Sequence, residues 1–194
     1  MERSVVFAGF GGQGLLFAGQ ALARAAIKDG LEVFWIPSYG PEMRGGTASC
    51  TVIVGDTAIG SPVVDRFDAA VIMNPPSLRK FASTIGSGGL LLINESLLGE
   101  EHSERTDIEE LRLRCTELAA KAGDDKLVSI VALGALIGRL GWVTPDSVRA
   151  ALREMAGKSR LGDARRREIV EADLSAFEAG MRAALPVQGL APSI

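Results

Sequence analysis

Two short stretches hold the residues whose types and spacing could do chemistry: Gly9-Phe10-Gly11-Gly12-Gln13-Gly14 and Ser38-Tyr39-Gly40-Pro41-Glu42-Met43-Arg44-Gly45-Gly46. Gly9, Gly11 and Gly14 satisfy the spacing G-x-G-x-x-G. Such a turn bends the backbone sharply, brings it close to a ligand and aims the free N–H groups of a following helix at an anion. Gln13 adds an amide beside those N–H groups. In the second stretch Arg44 lies between a proline-bearing turn and the pair Gly45-Gly46, so a planar cation is presented where backbone can approach closely. That geometry suits a carboxylate or a phosphate, or an internal pair with Glu42. Tyr39, the chain's one tyrosine, sits in the same loop as a hydrogen-bond donor or a packing surface.

The first stretch alone admits three readings: a nucleotide site, a subunit contact, or a turn that only allows close helix–sheet packing. A dinucleotide site wants a carboxylate about 20 positions on, at the end of the second strand. Here that strand ends in Trp35-Ile36-Pro37-Ser38, and Glu32 stands at its start. A P-loop is excluded because no Lys-Ser or Lys-Thr follows the glycines. His102, the only histidine, lies in a polar loop with nothing to orient it, which argues against a Ser-His-Asp mechanism and a zinc site. Cys50 and Cys115 are far apart and read as buried thiols, and an iron–sulfur cluster would need about four cysteine ligands.

These loops need a frame. Ser4–Ala8 reads as a buried strand, Leu15–Lys28 as a helix and Leu31–Ile36 as a second strand, the opening of a doubly wound domain. Loops after parallel strands emerge at one end of the sheet, so the two stretches are expected to converge there. Thr47–Val54 reads as a strand, with Gly55-Asp56 turning into an antiparallel strand at Thr57-Ala58-Ile59. Strands follow at Ala69–Met73 and Leu90–Ile93, separated by a helix over Ser77–Ile85. The alternation of residues 111–114 predicts a strand, with a helix over 116–122. Beyond Lys126 the chain reads as helical: Val128–Leu140, with Gly134 and Gly138 spaced for close helix packing, then a helix opened by Thr144-Pro145-Asp146, then one from Ala164 to Ala184. The expected class is α/β: a three-layer, doubly wound, mostly parallel sheet with an antiparallel hairpin and a helical C-terminal part. Residues 1–185 form one domain, and 186–194 a loose tail.

Composition narrows the partners. The 194 residues are 47% hydrophobic, enough for a substantial core, and the mean hydropathy of +0.21 points to apolar surface covered by other chains. No apolar run reaches the 18 or so residues of a membrane span. The N-terminus runs straight into a strand, so no leader is expected and the cytoplasm is the expected location. Net charge is −3, and the cluster Arg165-Arg166-Arg167 shares its helix with Glu168 and Glu171, which reads as a solvated face rather than a nucleic-acid site.

Taken together, the two loops resemble the paired motifs of the gamma subunit of the 2-oxoacid:ferredoxin oxidoreductases, which act on pyruvate, 2-oxoglutarate, 2-oxoisovalerate and indolepyruvate. Further similarity lies in Val131-Ala132-Leu133-Gly134-Ala135-Leu136 and Ala176-Phe177-Glu178-Ala179-Gly180, so the resemblance covers nearly the whole chain. Ser129 departs from a common Asn, and Cys115 from a common proline. The resemblance implies a subunit that is inactive alone and works in CoA-dependent oxidative decarboxylation of a 2-oxoacid. Thiamine diphosphate and iron–sulfur clusters are implied on alpha and beta partners, with a delta subunit as a further candidate, and ferredoxin is reached through the complex. Gly9, Gly11, Gly12, Gln13, Gly14, Ser38, Tyr39, Glu42, Arg44, Gly45 and Gly46 are then expected to hold coenzyme A or substrate or to line a subunit interface. No cofactor is expected on this chain alone. The alternatives are a homodimeric interaction module of the same fold and an NAD(P)-binding enzyme.

Overall fold

A computed structural model describes residues 1–39, 47–157 and 162–185. The first strand, β1 (Glu2–Phe10), is buried from Ser4 to Gly9, the unbroken apolar run of a strand covered on both faces. It leads into α1 (Leu15–Lys28), whose alanines favour helix and let it lie close to the sheet. There follow β2 (Glu32–Tyr39), β3 (Thr47–Gly55), β4 (Phe67–Ile72), α2 (Pro75–Phe81), β5 (Ile85–Asn94), α3 (Glu95–Leu98) and β6 (Glu109–Leu113). The chain then turns helical through α4 (Cys115–Ala122), α5 (Val128–Leu140), α6 (Pro145–Gly157) and α7 (Asp163–Ala184).

The sheet has the order β2-β3-β1-β4-β5-β6. Pairs β1–β4, β4–β5 and β5–β6 are parallel, and β3 runs against both of its neighbours, β1 and β2. The mostly parallel sheet expected from the sequence is present, but its hairpin lies elsewhere. It is formed by β2 and β3, not by a strand after Gly55, and residues 57–59 belong to no strand. With both edges of β3 occupied by β1 and β2, a chain returning from Gly55-Asp56 finds no free edge to pair with.

Side chains alternate across the sheet into two unequal cores. Val5, Phe7, Val71 and Leu92 face a thick helical layer through Leu15, Leu22, Leu133, Leu152 and Phe177. Val6, Ala8, Ile72 and Ile93 face Leu78 and Leu98 of the short helices α2 and α3. The N-cap of α2 is Asn74, whose Oδ1 accepts from Ser77 N at 2.8 Å, and Pro75 begins the helix, where a missing N–H costs nothing. In the helical layer α5 and α7 meet through glycines. A Cβ on Gly134 would overlap the Phe177 carbonyl, one on Gly180 would overlap the Val131 carbonyl, and one on Gly138 would stand 3.0 Å from the Met181 oxygen. Two residues of the basic cluster pair on their own helix, Arg165 with Glu168 at 2.8 Å and Arg166 with Asp163 at 2.9 Å.

Candidate functional site

The register of three adjacent strands puts the roots of the two glycine loops together. Phe10 pairs with Thr47 and Gly9 with Ala48, while Tyr39 pairs with Ala48 from the other side and Ser38 with Ser49. Gly9, Ala48 and Tyr39 therefore form one row across β1, β3 and β2, and two strand spacings place Gly9 and Tyr39 about 10 Å apart. Tyr39 is 69% exposed, at the rim of this end of the sheet. Gly40, Glu42, Arg44, Gly45 and Gly46 lie outside the described residues, between Tyr39 and Thr47.

The first loop is held by its own side chain. Gln13 Oε1 accepts from Phe10 N at 2.7 Å, and its Nε2 donates to the Met73 carbonyl at 3.4 Å. The Gln13 amide thus braces the turn and ties the tip of β1 to that of β4, rather than standing free beside the helix. A Cβ on Gly9 would overlap that amide and lie 2.8 Å from Met73 Cβ. Gly12 and Gly14 have φ of +94° and +74°, in the left-handed region that favours glycine, and Gly11 and Gly12 are exposed. Nothing stands within 4 Å of a Cβ built on Gly12, so the turn is open there.

Gly14 is the N-cap of α1, and no side chain caps the helix. Its first i→i−4 bond runs from Ala18 N to the Gly14 carbonyl at 3.0 Å, which leaves the N–H groups of Leu15, Leu16 and Phe17 ahead of it. A second helix starts at the same place. Ser129, in the first turn of α5 and 2% exposed, has its hydroxyl 2.6 Å from where a Cβ on Gly14 would be. The first turns of α1 and α5 contain no acidic residue, and the nearby Asp124 carboxylate is turned to Lys126 N at 2.9 Å. A short 3-10 turn over Asp125–Leu127 runs directly into α5, carries Asp125 and is capped by the Asp124 side chain, so the end of α1 is the one that favours an anion. Asn74 adds a donor at the same end of the sheet: it is 1% exposed, and its Nδ2 has no partner among the described residues. Ser129 and Asn74 were not among the residues singled out for the site from sequence. The signal for Asn74 is its place between a strand and Pro75-Pro76; nothing in the sequence signals that Ser129 meets Gly14.

The remaining candidates lie apart. Glu32 pairs with Gly55 at the opposite end of β2, about 23 Å along the strand from Tyr39, so it does not meet the glycine turn. His102 is exposed, with Nδ1 2.9 Å from the Glu100 carbonyl oxygen. Cys50 and Cys115 are both buried free thiols, each pushed up to about 12, chiefly by desolvation. Among the described residues no helix is long and apolar enough to cross a membrane.

Residues 4–183 match the family described as pyruvate ferredoxin/flavodoxin oxidoreductase, and the chain belongs to that family. The ketoisovalerate oxidoreductase subunit VorA of Methanothermobacter thermautotrophicus is 37% identical over 92% of this chain, which spans 36% of that protein. The 2-oxoglutarate synthase subunit KorC of Methanocaldococcus jannaschii is 32% identical over 81% of this chain and 86% of its own length. The chain thus spans about a third of the VorA relative and nearly the whole of the KorC one. Among solved structures, the keto/oxoacid ferredoxin oxidoreductase gamma subunit from Geobacter sulfurreducens superposes with a TM-score of 0.77 at 29% identity, covering 94% of this chain and 98% of that one. A 2-oxoglutarate:ferredoxin oxidoreductase from Magnetococcus marinus, solved with 2-oxoglutarate, coenzyme A and succinyl-CoA bound, shares the fold with a TM-score of 0.83 at 23% identity, over 94% of this chain and 31% of its own.

Proposed function

We propose that this chain is the gamma subunit of a 2-oxoacid:ferredoxin oxidoreductase, a complex that oxidatively decarboxylates pyruvate, 2-oxoglutarate or a branched-chain 2-oxoacid and passes the acyl group to coenzyme A. The observation that carries the proposal is the meeting of the two loop roots with the N-terminus of α1 at one end of the sheet, with no acid in the first turn of that helix. Gly11, Gly12 and the N–H groups of the first turn of α1 would hold an anionic group of coenzyme A or of the substrate. Gly9, Gln13 and Gly14 shape the turn that presents them. Arg44, with Glu42, Gly45, Gly46, Ser38 and Tyr39, would close the site from the second loop or meet a partner chain there. The iron–sulfur clusters belong on alpha and beta partners, with delta as a further subunit, because two buried, high-pKa thiols supply too few ligands for a cluster here, and the family resemblance assigns thiamine diphosphate to the same partners. Ferredoxin receives electrons through those partners. Free thiols fit a reducing compartment, and the cytoplasm is the proposed location.

The test is purification of the tagged chain from its native cells without oxygen, followed by assay of coenzyme-A-dependent viologen reduction with several 2-oxoacids. Co-purifying thiamine-binding and cluster-bearing chains, active on one acid, would support the subunit assignment. A clean, inactive homodimer would reject it in favour of an interaction module.

A further inference from the structure

The helical layer carries a second feature, remote from the glycine loops in sequence. A groove of about 410 Å³ runs between α4 and the C-terminal half of α7. Leu118 and Ala122 form one wall, and Ala179 and Ala183 form the other. Lys121 and Arg182 stand on opposite walls, both exposed, and among the described residues no carboxylate lines the groove. Neither cation forms a hydrogen bond or a close ion pair with any described residue, although the Lys121 charge acts on Glu117 one turn earlier on α4. Most other arginines of the chain behave differently: Arg24, Arg79, Arg105, Arg112, Arg114, Arg139 and Arg149 all pair with acids. The acids nearest the groove in sequence are turned away from it. Glu178 meets Arg149 on α6 at 2.7 Å, and Glu117 is held by the Ser96 hydroxyl.

We infer that this groove is a docking site for an acidic amphipathic helix of a partner subunit. The small side chains of Ala122, Ala179 and Ala183 admit a closely approaching apolar face, and a cation on each wall selects carboxylates flanking that face. Charge complementarity decides the occupant: carboxylates flanking an apolar face would meet both Lys121 and Arg182, and a basic helix would be repelled. The inference rests on the chain being one subunit of a complex, and it assigns to that complex a contact between α4 and α7.

The experiment uses the reconstituted complex, with native mass spectrometry and titration of partner subunits into this chain. Lys121→Glu with Arg182→Glu is expected to weaken assembly at least about tenfold. Ala179→Trp, which fills the groove without changing its charge, is expected to do the same. Arg153→Glu, an exposed cation of α6 outside the groove, should assemble like the unaltered chain. Circular dichroism of each isolated variant must match the unaltered chain, which separates lost docking from lost folding. Raised salt should weaken assembly of the unaltered chain more than that of the doubly reversed one. If both groove variants assemble as well as the unaltered chain, the docking site is overturned while the subunit function stands. If the unaltered chain assembles with nothing, both fall.

Discussion

Gly14 and Ser129 carry the heaviest local constraint, since each is where it is because the other is. At φ +74° an L-residue meets the left-handed penalty of about 1–2 kcal/mol, and an added Cβ would press on the Ser129 hydroxyl at 2.6 Å. Gly14→Ala should therefore cost about 2–3 kcal/mol in the unaltered background. With Ser129→Ala already present the nearest side-chain atom is Cβ at 3.5 Å, and the cost should fall to the backbone penalty alone. Urea denaturation of the four chains of this cycle measures the difference, and equal costs in both backgrounds would remove the contact. Asp173 makes a second case. It is 3% exposed on α7 and forms no hydrogen bond among the described residues; burial, with the nearby Asp124 charge, raises its carboxyl from 3.8 to about 6. The folded state then holds a proton that the unfolded chain has lost, so this group's contribution to stability falls as pH rises from about 4 to about 6 and stays low above that. Asp173→Asn should be the more stable chain at pH 7, by about 2 kcal/mol, with the advantage vanishing near pH 4. Thermal unfolding of both chains across that range is the check, and parallel curves would exclude a raised Asp173.

Contacts between elements explain which parts of the fold could be read in advance. Long apolar runs and punctuating residues were legible: β1, α1, α5 and the Thr144-Pro145 helix start follow from local pattern alone. The place of the hairpin was not, because it depends on which strand edges are already filled, and no residue near Gly55 reports that β3 lies between β1 and β2. The site was legible in part for the same reason. Glycine spacing marked the first loop, but the bracing of that loop by Gln13 and the arrival of α5 at Gly14 are tertiary facts. The spacing of Gly134 and Gly138 did signal close packing, and the partner is α7. The prediction at this scale is that Gly180→Ala, whose Cβ would overlap the Val131 carbonyl, destabilises the chain by at least about 1–3 kcal/mol. Gly157→Ala at the end of α6, where nothing stands within 4 Å, should leave stability within about 0.5 kcal/mol. Denaturant midpoints for the two variants decide it. A small effect at Gly180 would mean that the helices slide apart without penalty, which would be inconsistent with a glycine-dependent contact.

The whole molecule behaves as one unit if its first and last elements share a core, and they do. Val5 and Phe7 of β1 belong to the same buried cluster as Leu133 of α5, Leu152 of α6, and Phe177 and Ala184 of α7. Removing the C-terminal helices would expose one face of the central strand, so the two halves are expected to unfold together. The matching region makes up nearly the whole of the KorC relative and about a third of the VorA relative. Calorimetry of the isolated chain should show a single transition over residues 1–185, with an enthalpy near 0.7 kcal/mol per residue, about 130 kcal/mol in all. The van't Hoff and calorimetric enthalpies should agree. Two resolved transitions would separate the sheet from the helical layer and make the C-terminal part a domain of its own. Coenzyme A at a hundredfold excess over its dissociation constant should raise the single transition by the equivalent of about 2.7 kcal/mol if this chain holds the ligand's anionic part unaided. An unmoved transition, with stabilisation appearing only in the assembled complex, would mean that the helix ends at Gly14 and Ser129 provide one wall of a site whose other wall belongs to a partner.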